Sequence, residues 1–214
     1  MTEPRRRAPA TKLLILAIAI GLIVQFVTGA MTDPIRLALL GAIVDELILE
    51  HGQWWRLISA MFLHGNGTIS GTALHATMNL WALFQLGTIY ELMFGTRRFV
   101  TVYFVSGIVA SLTSLFLTEG WSVGASGAIF GIMGAFIFSV LRSPRWQHNK
   151  GARSIANQVV FWSLANILIG SQIPQIDIAA HVGGFIAGLI LGAVLPHRVP
   201  PPPPAEVVVD VRPN

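Results

Sequence analysis

Gly124-Ala125-Ser126-Gly127-Ala128-Ile129-Phe130-Gly131 sits in a stretch of chain apolar enough to cross a membrane. So does a second island, Ala180-His181-Val182-Gly183-Gly184-Phe185-Ile186-Ala187-Gly188. The first presents one serine among residues too small to shield it, the second one histidine. Polar groups in hydrocarbon are costly and mark functional positions by default. A hydroxyl and an imidazole on two separate apolar segments are a nucleophile and a base, so the pairing implies serine-hydrolase chemistry inside a bilayer.

The composition around these islands is that of a membrane protein. Of the 214 residues, 53% are hydrophobic and 11% charged, against about 25% charged in an ordinary soluble domain. The net charge of +4 comes from basic residues dispersed at loop ends. They form no stripe, which argues against a nucleic-acid partner and reads as a topology signal. There is no cysteine, so disulfides, thiolate metal sites and cysteine catalysis are excluded.

Six uncharged stretches, residues 13–32, 74–90, 99–118, 120–141, 154–176 and 178–196, approach the roughly 20 residues that a helix needs to span hydrocarbon. They predict an all-α, polytopic membrane protein, a six-transmembrane-helix bundle over residues 13–196. A cytoplasmic segment (1–12) precedes it and a Pro-rich cytoplasmic tail (197–214) follows. Residues 65–72, rich in Gly, Thr and Ser, read as loop, so the second helix is expected to begin near Leu74. With the N-terminus in the cytoplasm, twelve of the fourteen Lys and Arg fall inside and only Arg36 and Arg56 outside, the bias of the positive-inside rule. Both termini are then cytoplasmic. The first span exceeds a signal-peptide core of about 7–15 residues and is read as a retained helix.

The external connection, residues 33–72, carries an amphipathic stretch (35–49) and then Trp54, Trp55 and Arg56. That composition sets rings among headgroups and leaves the arginine wet. The prolines Pro200–Pro204 favour an extended tail.

In this topology the second, fourth and sixth helices run from outside to inside. His75 and Asn79, Ser126, and His181 lie near their respective starts, so three remote segments bring polar groups to one depth. Each has a structural alternative. A transmembrane serine commonly bonds a carbonyl one turn earlier or packs at a small-residue interface. A histidine can be a packing residue, and His75 with Asn79, four apart on one face, can be a polar packing pair. The surroundings favour chemistry. Gly124 leaves backbone N–H groups open beside Ser126, as a developing oxyanion requires. Gly184, Gly188 and Gly192 line one face after His181, a groove for close approach of the serine helix. His75 and Asn79 can both donate hydrogen bonds. A metal held by His64, His75 and His181 lacks carboxylate or cysteine support, so neither metal nor cofactor is implied. Asp177, four residues before His181, reads as the cap of the last helix, leaving a Ser–His dyad. Glu91 and Gly95 read as structural.

At these residues the chain resembles the rhomboid intramembrane serine proteases. The resemblance runs from about Trp54 to Gly192 and includes Trp55-Arg56, Phe62-Leu63-His64-Gly65, His75-x-x-x-Asn79, Glu91-x-x-x-Gly95, Gly124-Ala125-Ser126-Gly127, and Ala180-His181 with Gly184 and Gly188. It implies cleavage of peptide bonds in or beside a substrate's transmembrane segment, with Ser126 as nucleophile and His181 as base. It also implies an oxyanion hole of His75, Asn79 and the Ser126 backbone N–H. Two departures stand out. Phe130 occupies the place where the family often has a tyrosine stacked on the catalytic histidine, keeping the ring and losing the hydroxyl. The link from Gly65 to Leu74 is also longer than usual.

The implied partners are transmembrane substrates and membrane lipid; oligomeric state is left open. The short segment before the first helix makes a bacterial inner membrane the expectation. Two rivals remain at this point: a catalytically inactive relative that binds transmembrane segments, and a small transporter, which would show broken helices or repeats.

Overall fold

The computed structural model describes residues 7–65, 67–173 and 176–196. Arg5, Arg6 and the Pro-rich tail lie outside the described residues.

Helix α1 runs Pro9–Thr28, four residues earlier at each end than the uncharged run indicates. Proline fits the first turn, where its missing N–H is no loss. Glu91, eighty residues away, then accepts Ala10 N at 3.1 Å, Thr11 N at 2.8 Å and Thr11 Oγ1 at 2.8 Å. One carboxylate thus satisfies donors that a helix start leaves orphaned.

The amphipathic stretch after α1 is two short helices, α2 (Pro34–Leu40) and α3 (Asp45–Leu49), separated by strand β1 (Ile43–Val44). Gly41, at φ 113°, makes the break. Helix α4 (Arg56–Ser59) follows. Here one expectation fails: Arg56 is 4% exposed, not wet. Its guanidinium donates to Ala38 O at 2.6 Å, Ala42 O at 2.9 Å and Gln53 Oε1 at 2.8 Å. Breaking the helix at Gly41 frees carbonyls that a fixed fork of donors can collect. Trp54 and Trp55 stay about half exposed.

Helix α5 begins at Ile69, not Leu74, because Thr68 caps it by accepting Gly71 N at 3.0 Å. It spans Ile69–Ala82, passes through a wide π turn over Leu83–Gly87, and continues as α6 (Thr88–Phe94). Helix α7 (Thr96–Leu117) comes next. Strand β2 (Trp121–Ser122) then pairs antiparallel with β1, Ile43 opposite Ser122 and Val44 opposite Trp121. This small ribbon qualifies the all-α expectation. It also corrects the fourth span, since residues 120–125 are not helical and helix α8 runs Ser126–Arg142. Helices α9 (Lys150–Gly170) and α10 (Ile178–Val194) complete the described chain.

Helices α1 and α7 are each long and apolar enough to cross a membrane, and α8 and α10 are shorter apolar helices. Large side chains such as Leu13, Leu16 and Val27 of α1 and Phe161, Leu164 and Leu168 of α9 are exposed. An apolar surface of that extent is an aggregation liability in water and a match for lipid. Helix α8 lies at the centre, with Ile129, Ile132, Ala135, Phe136 and Val140 buried.

The pair α8–α10 has the most extensive contact in the bundle. A Cβ on Gly184 would meet the Gly127 carbonyl, one on Gly188 the Gly131 carbonyl, and one on Gly192 the Ala135 carbonyl at 2.7 Å. The two backbones therefore touch along three turns. At the end away from Ser126, Arg98 donates to Tyr90 Oη at 3.1 Å, Ser139 Oγ at 2.9 Å, Gly192 O at 3.1 Å and Pro196 O at 3.2 Å. It clasps α6, α7, α8 and the end of α10.

Alanine is favoured over glycine in a helix by about 1 kcal/mol, but overpacking costs about 1–3 kcal/mol when the neighbour is rigid backbone. Gly188→Ala is therefore expected to lower Tm in detergent micelles. A Tm at or above wild type would mean that α8 and α10 do not meet at this glycine.

Candidate active site

Ser126 is the first residue of α8 because the chain before it is held in a shape no helix allows. Gly124 has φ 137°, and its N–H donates to Ala60 O at 2.9 Å. A Cβ there would also lie 3.2 Å from the His75 ring. Only glycine combines that dihedral with that space. The geometry puts Ser126 where helix N–H groups lack intrahelical acceptors and the positive end of the dipole is strongest.

His181, the fourth residue of α10, is 8% exposed. Its Nε2 lies 2.8 Å from Ser126 Oγ. The ring stacks on Phe130 with centroids 4.3 Å apart and planes at 14°. Nδ1 is buried and has no hydrogen-bond partner among the described residues. Packing, not an Nδ1 acceptor, orients this imidazole.

His75 lies beside Gly124, with a Cβ on that glycine 3.2 Å from its ring. Asn79 is buried one turn along and donates to His75 O at 3.1 Å. Its amide has a second N–H, so this bond leaves donor capacity. His75, Ser126 and His181 thus converge at one end of the bundle, with Asn79 a turn deeper, while Glu91 and Arg98 sit at the other. Gly184 and Gly188 supply the backbone approach that brings α10 to α8.

His64 is fully buried and edge-on to His75, with ring centroids 5.1 Å apart. Burial pushes its pKa down to about 3, the neighbouring His75 adding to the effect. It is a neutral packing group at any working pH. Its backbone is gripped by Gln25 of α1: Gln25 Nε2 donates to His64 O, and His64 N donates to Gln25 Oε1 at 2.9 Å. The sequence reading passed over Gln25. The signal was present, since a lone amide in an apolar span is costly unless paired.

Asp177 caps α10, accepting Ala180 N at 2.9 Å. It also accepts Thr118 Oγ1 at 2.9 Å and Ser122 Oγ at 2.7 Å. Burial alone would raise its pKa, but bonds from Ser114, Ala180, Ser122 and Thr118 outweigh burial and hold the carboxyl below its usual range. It is ionised at neutral pH.

Residues 51–198 match the Rhomboid domain family. The chain belongs to the rhomboid family. This rhomboid is 34% identical over 169 residues to the rhomboid protease GluP of Bacillus subtilis, an alignment covering 79% of the chain and 31% of GluP. It is 38% identical over 157 residues to RHOMBOID-like protein 2 of Arabidopsis thaliana, covering 73% of the chain and 47% of that protein. RHOMBOID-like protein 7 of the same plant is 35% identical over 157 residues, with the same coverage. The chain thus spans about a third to a half of these relatives. The family is membrane-embedded, in keeping with the apolar helices α1 and α7.

An aromatic stack contributes about 0.5–1.5 kcal/mol beyond area burial, up to about tenfold in rate. Phe130→Ala is expected to slow labelling of Ser126 by a fluorophosphonate by up to that factor, and Phe130→Tyr to leave it near wild type. Unchanged labelling in Phe130→Ala would separate the stack from Ser126 reactivity.

Proposed function

We propose that this rhomboid is an intramembrane serine endopeptidase that cleaves transmembrane segments with a Ser126–His181 dyad. The observation that carries this reading is the 2.8 Å contact between Ser126 Oγ and His181 Nε2, formed between two apolar helices fifty-five residues apart. A packing role needs neither a hydroxyl nor an imidazole there. The protease relative GluP supports the same reading.

The chemistry follows from the geometry. Ser126 Oγ attacks the scissile carbonyl carbon while its proton moves to His181 Nε2. The carbonyl oxygen becomes an oxyanion, stabilised by the Ser126 backbone N–H at the start of α8 and by His75 and Asn79. The intermediate collapses, the C–N bond breaks, and His181 returns its proton to the leaving amine. Water then attacks the acyl-enzyme with His181 again as base, restoring Ser126. Asn79 can serve this role with its second amide N–H, and His75 with a ring N–H.

In this reading the catalytic core is residues 13–196, crossing the membrane six times with both termini in the cytoplasm of a bacterial cell. The α5–α6 rod counts as one span. The site then opens at the external face, where water is at hand. A substrate helix must unwind there, because its backbone hydrogen bonds are otherwise satisfied within the membrane. Substrates should carry Gly, Pro or other helix-weakening residues near their external boundary.

Ser126→Ala is expected to abolish cleavage of a transmembrane substrate in proteoliposomes while leaving Tm near wild type; persistent cutting at the same bond would overturn the assignment. Loss of one oxyanion donor costs about 10²–10³ in rate, so Asn79→Ala should keep measurable turnover with KM little changed, and wild-type turnover would return Asn79 to packing. Mass spectrometry of the products should place the cut in the external half of the substrate span; a cut in the cytoplasmic half would defeat the proposed orientation.

A further inference from the structure

Asp177 precedes α10 by one residue and His181 by four. A helix cap needs one acceptor for one backbone N–H, and the Asp177 Oδ1 bond to Ala180 N at 2.9 Å supplies it. The rest of the carboxylate is engaged elsewhere. Oδ1 also accepts Thr118 Oγ1 at 2.9 Å, just past the end of α7, and Oδ2 accepts Ser122 Oγ at 2.7 Å in β2. Three stretches of chain therefore converge on one carboxylate. One of them, β2, leads through Gly124 to Ser126, and another, α10, carries His181.

We propose that Asp177 is a positioning residue for the dyad: it ties the strand that leads to Ser126 to the helix that carries His181, and its charge steadies the imidazolium formed when His181 takes the Ser126 proton. The proposal rests on the Ser–His reading given above. The carboxylate does not touch Nδ1, which has no hydrogen-bond partner among the described residues. It acts through space, one helical turn away on the same face, where residues four apart are neighbours. Water screens little at so buried a ring, and charge–charge attraction grows as the effective dielectric falls.

The other titratable group bearing on His181 is His75 from α5. Glu119, after α7, is exposed. Arg98 of α7 and Arg142 of α8 donate to Gly192 and Ala193 at the far end of α10. Lys150 and Arg153 sit in the first turn of α9 and Glu91 near the end of α6. Asp177 is thus the one anion beside the dyad among the described residues.

Asp177→Asn separates the proposal from simple capping. Asparagine caps helices as well as aspartate, and its Oδ1 can keep the Thr118 and Ala180 bonds while the charge is lost. In the full chain reconstituted with a transmembrane substrate, Asp177→Asn should keep Tm near wild type. It should lower kcat about tenfold or more, the effect of about one pKa unit of lost stabilisation, with KM little changed. The sign of the pH effect follows from charge: without the anion the imidazolium is less favoured, so His181 stays a free base to lower pH. The acidic limb of the kcat profile should therefore move down in pH.

A second variant, Thr118→Val with Ser122→Ala, leaves the charge and the cap and removes two ties. It should lower kcat without moving that limb. Wild-type kcat and an unmoved limb in Asp177→Asn would overturn the charge role, and wild-type kcat in the double variant would overturn the tie. A fall in kcat that only tracks a fall in Tm would also reduce Asp177 to a cap. Cutting by Ser126→Ala would instead overturn the dyad reading itself, independently of Asp177.

Discussion

The contact of bare backbone between α8 and α10 is the constraint on which the other features hang. Between helices in lipid there is no hydrophobic force to press them together, so association comes from dispersion at close range. Gly184, Gly188 and Gly192 allow that range by presenting no Cβ to the carbonyls of Gly127, Gly131 and Ala135. Once the axes are this close, a serine on the first turn of one helix and a histidine on the first turn of the other have no choice but to meet. A larger residue at Gly184 or Gly188, the two nearer the dyad, would press on a facing carbonyl and push the axes apart.

Buried polar side chains do a second kind of work in this chain, and most do it by serving backbone. Arg56 collects carbonyls freed at Gly41, Arg98 collects carbonyls at the end of α10, and Gln25 pairs both groups of the His64 peptide. In an apolar interior an unpaired peptide group costs about as much as a lost hydrogen bond. The helices can therefore break, turn and restart near the site only because long polar side chains reach across to cover the breaks. Irregular backbone at membrane depth needs protein around it, and these three residues supply it.

Which parts were legible follows from the range of the interactions. The glycine face of α10 repeats every four residues, a local pattern, so the groove was readable and so was its serine-bearing partner. The pairing of His181 with Ser126 could be inferred because both stand out against apolar surroundings. The start of α8 was not readable: residues 120–125 carry no charge and look like helix, while the φ of Gly124 and the β1–β2 pairing exist only in three dimensions. The start of α5 was missed because Thr68 is both a loop residue and a good cap, and composition does not choose between them. Arg56 was placed in water since a charge beside tryptophans normally is. Its backbone acceptors, Ala42 O and Ala38 O, are fourteen and eighteen residues away, beyond any local window.

Glu91 bears on the order in which this molecule can be made. The carboxylate that receives Ala10 N and Thr11 N is synthesised about eighty residues after them. Until then the first turn of α1 has no protein partner for these donors and is held by water or headgroups. Synthesis runs at about 5–20 residues per second, so α1 waits several seconds before α6 arrives with the carboxylate. Helix α1 is thus locked only once α6 is made, and before α7, α8, α9 and α10 exist. The lock is a side chain whose arrival reports that the α5–α6 rod is nearly complete.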